Sequence, residues 1–159
     1  MDNNNNKYDY KFLFKNEEKR TTIIKEMEKY LNENLQGIEK HWKETGEIEK
    51  SPKKFNDYSQ NVLQELKKLN EELRIFSNLR KESFKKDANT LLNLESQNYK
   101  ISLGIFINKL NCFDMLKNDD DEFKLLKKEK EISLLRQTLA DVREEINDFI
   151  TNLKYKYLY

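Results

Sequence analysis

His41 and Cys112 are the one histidine and the one cysteine of this 159-residue chain. Two chemistries would use them. A zinc site takes three or four ligands, mostly Cys and His at set spacings. Nucleophilic Cys–His catalysis needs the pair adjacent, with a third group orienting the base. One residue of each kind, far apart in sequence, meets neither requirement. His41 reads as flanking the Trp42 stripe on a helix surface, and Cys112 as a small apolar side chain. The acidic pairs Glu17-Glu18, Glu71-Glu72 and Glu144-Glu145 suggest acid–base work, but catalytic carboxylates need a partly dry cleft that separates their pKa values. In a chain with 37% charged residues they read as solvated helix faces. The sequence therefore predicts no enzyme, no metal or cofactor site and no small-molecule substrate.

Other residues point to contact rather than catalysis. Ser51-Pro52-Lys53-Lys54 has the form of a proline-directed kinase site. A phosphate on Ser51 would sit at a helix N-terminus, where the dipole and the lysines favour it. The plainer reading is a Ser cap with Pro at the first helical position; Ser51 is the candidate phosphosite. Two aromatic clusters, Tyr8, Tyr10, Phe12 and Phe14 and then Tyr155, Tyr157 and Tyr159, are candidate partner-binding residues, because exposed clustered aromatics mark interfaces. The first cluster has strand spacing, yet no second strand is evident to pair with it. Arg80, Lys81, Lys85 and Lys86 form a basic group around Phe84. Its plain reading is a solvated face matched by acids on a neighbouring helix.

The elements that must carry these residues are helices. Leu125, Ile132, Leu139, Ile146 and Leu153 recur every seven positions, and Leu135, Val142 and Phe149 follow three of them by three. This heptad predicts a helix-packing seam. Lys128 interrupts it, and Glu129, Glu131, Arg136 and Glu145 flank it. Ile24, Met27, Leu31, Leu35, Ile38 and Trp42 form a second stripe, which Asn16 is placed to cap and Gly46 to stop. Phe55, Val62, Leu66, Leu69, Leu73 and Phe76 form a third. After Phe76 the register slips, and a cap near 87–90 would divide 52–116 into two helices. Residues 87–117 carry few charges, and Tyr99, Leu103, Phe106, Leu110 and Phe113 share one helical face. Such a segment is either the central helix of a bundle or a partner-binding surface. Asn118 to Glu122 reads as a solvated turn and N-terminal cap.

Composition agrees. Three Gly and one Pro are too few for a turn-rich β fold. A mean hydropathy of −0.99 suits helices that bury one stripe each. The net charge of +1 gives no general pull toward nucleic acid, and scarce arginine argues the same way. Residues 51–86 are net basic and 118–159 net acidic, so those segments would attract if packed together.

The expected fold is all-α: three or four long amphipathic helices in an elongated antiparallel bundle or coiled coil. Residues 1–15 are expected as a flexible aromatic-containing segment and 16–159 as one helical domain. Its helices are predicted at about 17–45, 52–86, 88–116 (continuous with the previous one in one reading) and 121–156. The expected function is a structural or adaptor subunit of a multi-protein coiled-coil assembly of tethering, cytoskeletal or trafficking type. It would bind protein partners through helical packing, as a hetero-oligomer or a homodimer. The alternative is a peripheral membrane-surface protein using a basic helix and the aromatic ends; a nucleic-acid-binding helical protein is the weaker one. With no apolar leader and no spanning segment, the expected setting is cytoplasmic or nuclear.

Overall fold

The computed structural model describes residues 2–48, 52–118 and 121–159. Among them lie four helices and no strand: α1 (Asp2–Thr45), α2 (Pro52–Asn78), α3 (Glu82–Lys117) and α4 (Glu122–Tyr157). At 1.5 Å per residue, the 44 residues of α1 span roughly 66 Å. No helix among the described residues is long and apolar enough to cross a membrane.

The ends of the helices follow local chemistry where the signals are strong. Gly46 adopts φ 71° and its amide donates to the Trp42 carbonyl at 2.8 Å, closing α1 in the left-handed conformation that Gly tolerates. Pro52 opens α2, where its missing N–H costs nothing. Asp121 caps α4, its Oδ1 accepting from the Phe123 amide at 3.0 Å.

Two expected boundaries are wrong. The segment expected to be flexible over 1–15 is helical from Asp2 onward, and Tyr10 and Leu13 are buried. Asn16 is consequently no cap; it lies mid-helix and donates to the Leu69 carbonyl at 3.0 Å. The alternating aromatics are not a strand. On a helix they form two (i, i+4) pairs on adjacent faces. Tyr8 and Phe12 both meet Phe76 of α2, while Tyr10 meets Phe84 of α3 and Tyr157 of α4.

The α2–α3 break also differs from the expected one. It falls at Leu79-Arg80-Lys81, not at 87–90. Reversing there lets Phe84 pack edge-on against Phe76 at 5.6 Å. It leaves Leu79 82% exposed, and α3 starts at Lys81 without a side-chain cap. Tertiary contacts, not local capping, decide this turn.

α1 and α3 each touch the other three helices, while α2 and α4 do not meet among the described residues. α2, which holds most of the net basic 51–86 segment, therefore does not lie beside α4 of the net acidic segment. α3, which contains the charge-poor 87–117 stretch, shares the central position with α1.

The core is continuous at one end and divided at the other. Near Tyr10, all four helices share one cluster that includes Leu13, Leu73, Leu91, Val142 and Ile146. Toward the α3–α4 turn it separates in two. Ile24, Met27, Leu31 and Leu35 of α1 pack with Val62 and Leu66 of α2 and Phe106 of α3. Ile132 and Leu139 of α4 pack instead on Ile105 of α3.

Candidate interaction sites

The heptad seam of α4 is spent within the chain. Ile132, Leu139, Val142, Ile146 and Leu153 are buried, and Leu125, Leu135 and Phe149 are half-buried. Lys128, the polar interruption, leans on Glu131 at 3.4 Å. The seam's buried side chains face α3 and the shared core near Tyr10.

The division of the core opens a groove between α1 and α4, floored by α3. Three cavities of about 250, 340 and 470 Å³ run along it. The first two share Glu28 and Arg143. The second and third share Asn32, Leu35, Lys109 and Arg136. The Glu28–Arg143 ion pair spans the walls between the first cavity and the second; beyond it the floor runs from Ser102 to Phe113, about three helical turns. Its apolar surface comes from Leu35, Ile105, Phe106 and Leu139. Burial first, and then the neighbouring Arg136, push the Lys109 amine below the ordinary lysine range. Neither cation has a salt-bridge partner among the described residues. Cys112 and Glu129 line the same groove.

A polar layer crosses the core between the Tyr10 end and the groove. Arg20 is 1% exposed; it donates to Glu17 at 2.9 Å, Asn16 at 2.6 Å and Asn70 of α2 at 3.1 Å. Glu17 and Glu95 of α3 are also buried, their carboxyls close enough to interact. Burial, then the Glu95 charge, raise the Glu17 carboxyl to about 8 against the opposing pull of Arg20. Burial likewise raises Glu95. Glu95 Oε2 has no hydrogen-bond partner among the described residues, which favours keeping one proton on the pair. Beside it, Arg143 of α4 pairs with Glu28 of α1 and donates to Asn98 at 3.1 Å and Ser102 at 3.3 Å. The expectation of a solvated Glu17-Glu18 face thus fails for Glu17. The sequence did carry a signal: Asn16, Glu17 and Arg20 occupy the stripe positions between Leu13 and Ile24, where apolar residues are the rule.

The aromatic clusters and the basic group, far apart in sequence, meet at one pole. Tyr10 and Tyr157 stack with ring centroids 3.7 Å apart, and Phe12 stacks on Phe76 at 3.8 Å. Arg80 binds Asp9 at 2.9 Å and lies 4.0 Å over the Phe76 ring. The Tyr10 hydroxyl donates to Asp87, and burial together with that carboxylate drives the phenol far above its ordinary range. Tyr10, Phe12, Phe14 and Tyr157 are therefore packed against the chain's own core. Tyr8, Tyr155 and Tyr159 remain 65%, 69% and 83% exposed. Phe84, the centre of the basic group, is buried, and Lys85 pairs with Glu82 at 3.3 Å.

The candidate phosphosite Ser51 lies outside the described residues. His41 and Cys112 are both half-buried, His41 on α1 and Cys112 on α3. No cluster of three or more potential metal ligands occurs among the described residues. No protein family, curated protein or solved structure matches this chain.

Proposed function

We propose that this chain is a non-enzymatic structural or adaptor subunit of a multi-protein helical assembly, of tethering, cytoskeletal or trafficking type. In this reading its four helices form an elongated antiparallel bundle, closed at the Tyr10 pole and open between α1 and α4. A partner's amphipathic helix enters the opening and completes the bundle, in the helix-in-groove mode of recognition. The observation that carries the reading is the division of the core, which leaves a groove of about three turns, apolar at its base and polar at its rims, between two helices. Lys109 and Arg136 on its lining call for an acidic residue on the incoming helix, which would relieve their mutual repulsion. The partner surface is thus the groove rather than the heptad seam, whose buried members face inward.

Trp at Gln36 and Ser133, two exposed positions on opposite walls of the groove, should fill it without touching the core. Proteins that co-purify with the tagged wild-type chain from its native cells should be lost from the Gln36→Trp/Ser133→Trp variant, whose thermal melting should be unchanged. Undiminished co-purification with the filled groove would exclude this mode of binding.

A further inference from the structure

The pole where the aromatic clusters meet has its own chemistry, independent of the groove. Its interior is aromatic: Tyr10, Tyr157, Phe12, Phe76 and Phe84 pack ring on ring. Tyr8 meets Phe76, Leu79 lies on the α2–α3 turn that follows it, and Tyr155 and Tyr159 pack edge-on at the end of α4 either side of Tyr157; each of the four is more than half exposed. Leu79 is the most exposed aliphatic side chain at this end, carried on a turn that local sequence does not require. Exposed Leu and Tyr side chains at one end of a helical protein suit a surface whose apolar edge meets lipid while its hydroxyls stay in water.

The charge around these residues is positive. Residues 7–11, 79–87 and 154–159 hold eight Lys or Arg against three acids. Of those acids, Asp9 is taken by Arg80, Asp87 by Tyr10, and Glu82 by Lys85. Lys11, Lys86 and Lys156 are exposed, on three different helices. A cationic fringe around protruding Tyr and Leu complements an anionic bilayer, where surface potential and interfacial burial act together.

We propose that this pole docks the protein onto anionic lipid membranes, with Tyr8, Leu79, Tyr155 and Tyr159 entering the headgroup region and Lys11, Lys86 and Lys156 meeting lipid phosphates and carboxylates. The four helices then stand away from the bilayer, with the groove at the end remote from it.

Co-sedimentation of the purified full chain with vesicles tests this. Binding is expected to phosphatidylcholine vesicles containing phosphatidylserine and not to phosphatidylcholine alone, and it should weaken as salt is raised. Replacing Tyr8, Leu79, Tyr155 and Tyr159 together by Ser should lower affinity by more than about tenfold. Changing Lys86 and Lys156 to Gln should lower it about fivefold per lysine. Circular dichroism melts confirm that these exposed substitutions leave the fold intact. A control variant at the opposite end, Phe123→Ser/Leu126→Ser/Leu134→Ser, should bind as wild type. Absence of binding to anionic vesicles at low salt overturns the proposal. So does equal loss in the control, retained binding in the Tyr/Leu variant, or equal binding to soluble polyglutamate, which would assign the pole to acidic protein.

Discussion

The Tyr10 hydroxyl donates to the Asp87 carboxylate, tying α1 to α3 across 77 positions of sequence. The same ring stacks on Tyr157 of α4 and meets Phe84 edge-on. One side chain thus joins three helices. Tyr10→Phe keeps the stacking but leaves Asp87 without its donor. A hydrogen bond to a charged group is worth about 1.5–3 kcal/mol, and urea unfolding should show a loss in that range. In a cycle with Asp87→Asn, the two effects should not add. Simple additivity would mean the bond contributes nothing of its own.

Arg20 carries the buried polar layer. Arg20→Met has similar volume but strips Glu17 and Glu95 of their cation. Breaking a buried ion pair by removing one partner typically costs about 3–5 kcal/mol. Chemical denaturation of the variant should show a loss of that order at neutral pH. A loss under ~1 kcal/mol would show that the proton on the carboxyl pair, not Arg20, neutralises the layer.

The same layer makes stability depend on pH with a defined sign. Glu17 is raised from 4.5 to about 8, so between these values the folded chain holds a proton that the unfolded chain releases. Its contribution is full below pH 4.5 and declines as pH rises through about 8. Glu17→Gln mimics the protonated form and lacks this dependence. Melting temperatures across that window should therefore fall further for wild type than for Glu17→Gln. Parallel curves for the two proteins would count against a shared proton.

Burial separates two leucines of the same type. Leu91 is 0% exposed in the four-helix cluster, whereas Leu134 on the outer side of α4 is 56% exposed. Leu91→Ala should destabilise by about 2–5 kcal/mol, and Leu134→Ala by no more than about 0.5 kcal/mol. Similar losses at both sites would contradict this orientation of the helices.

Cys112 reports on the groove. Burial, then Glu129, push its thiol above the ordinary range. At neutral pH it should react with a disulfide reagent more slowly than in the urea-unfolded chain, because the thiolate is the nucleophile. Glu129→Gln should quicken the folded-state reaction. Equal folded and unfolded rates would place the thiol in open water.

Much of this fold was legible because its signals are local. The stripes Ile24 to Ile38 and Val62 to Leu73 carry 3.6-residue spacing, and the structure buries them as read. Gly46 and Pro52 mark helix ends by their own backbone chemistry. The misreadings arose where local and distant forces compete. Tyr8 to Phe14 looks like a strand because a helix that serves three neighbours is apolar on adjacent faces. The α2–α3 turn carries no Gly, Pro or side-chain cap; its only trace was the register slip after Phe76. Glu17 looked solvated because a carboxylate normally is, and only its place in the apolar stripe marked it otherwise.

The sequence by itself determined that the chain is helical, nearly where three of the four helices end, and which stripes α1 beyond Ile24, α2 and α4 bury; of the face read on α3 only Phe106 is buried, the others half-buried. Those properties follow from the conformational preference of each residue and from periodicity, which act over one or two turns. The tertiary structure alone decided that the heptad seam faces inward, that the core divides and leaves a groove, and that Tyr10, Asp87 and Tyr157 share one pole. Those relations depend on which helix lies beside which. That choice is made by the fit of side chains and buried charges brought together from distant positions, and no local pattern encodes it.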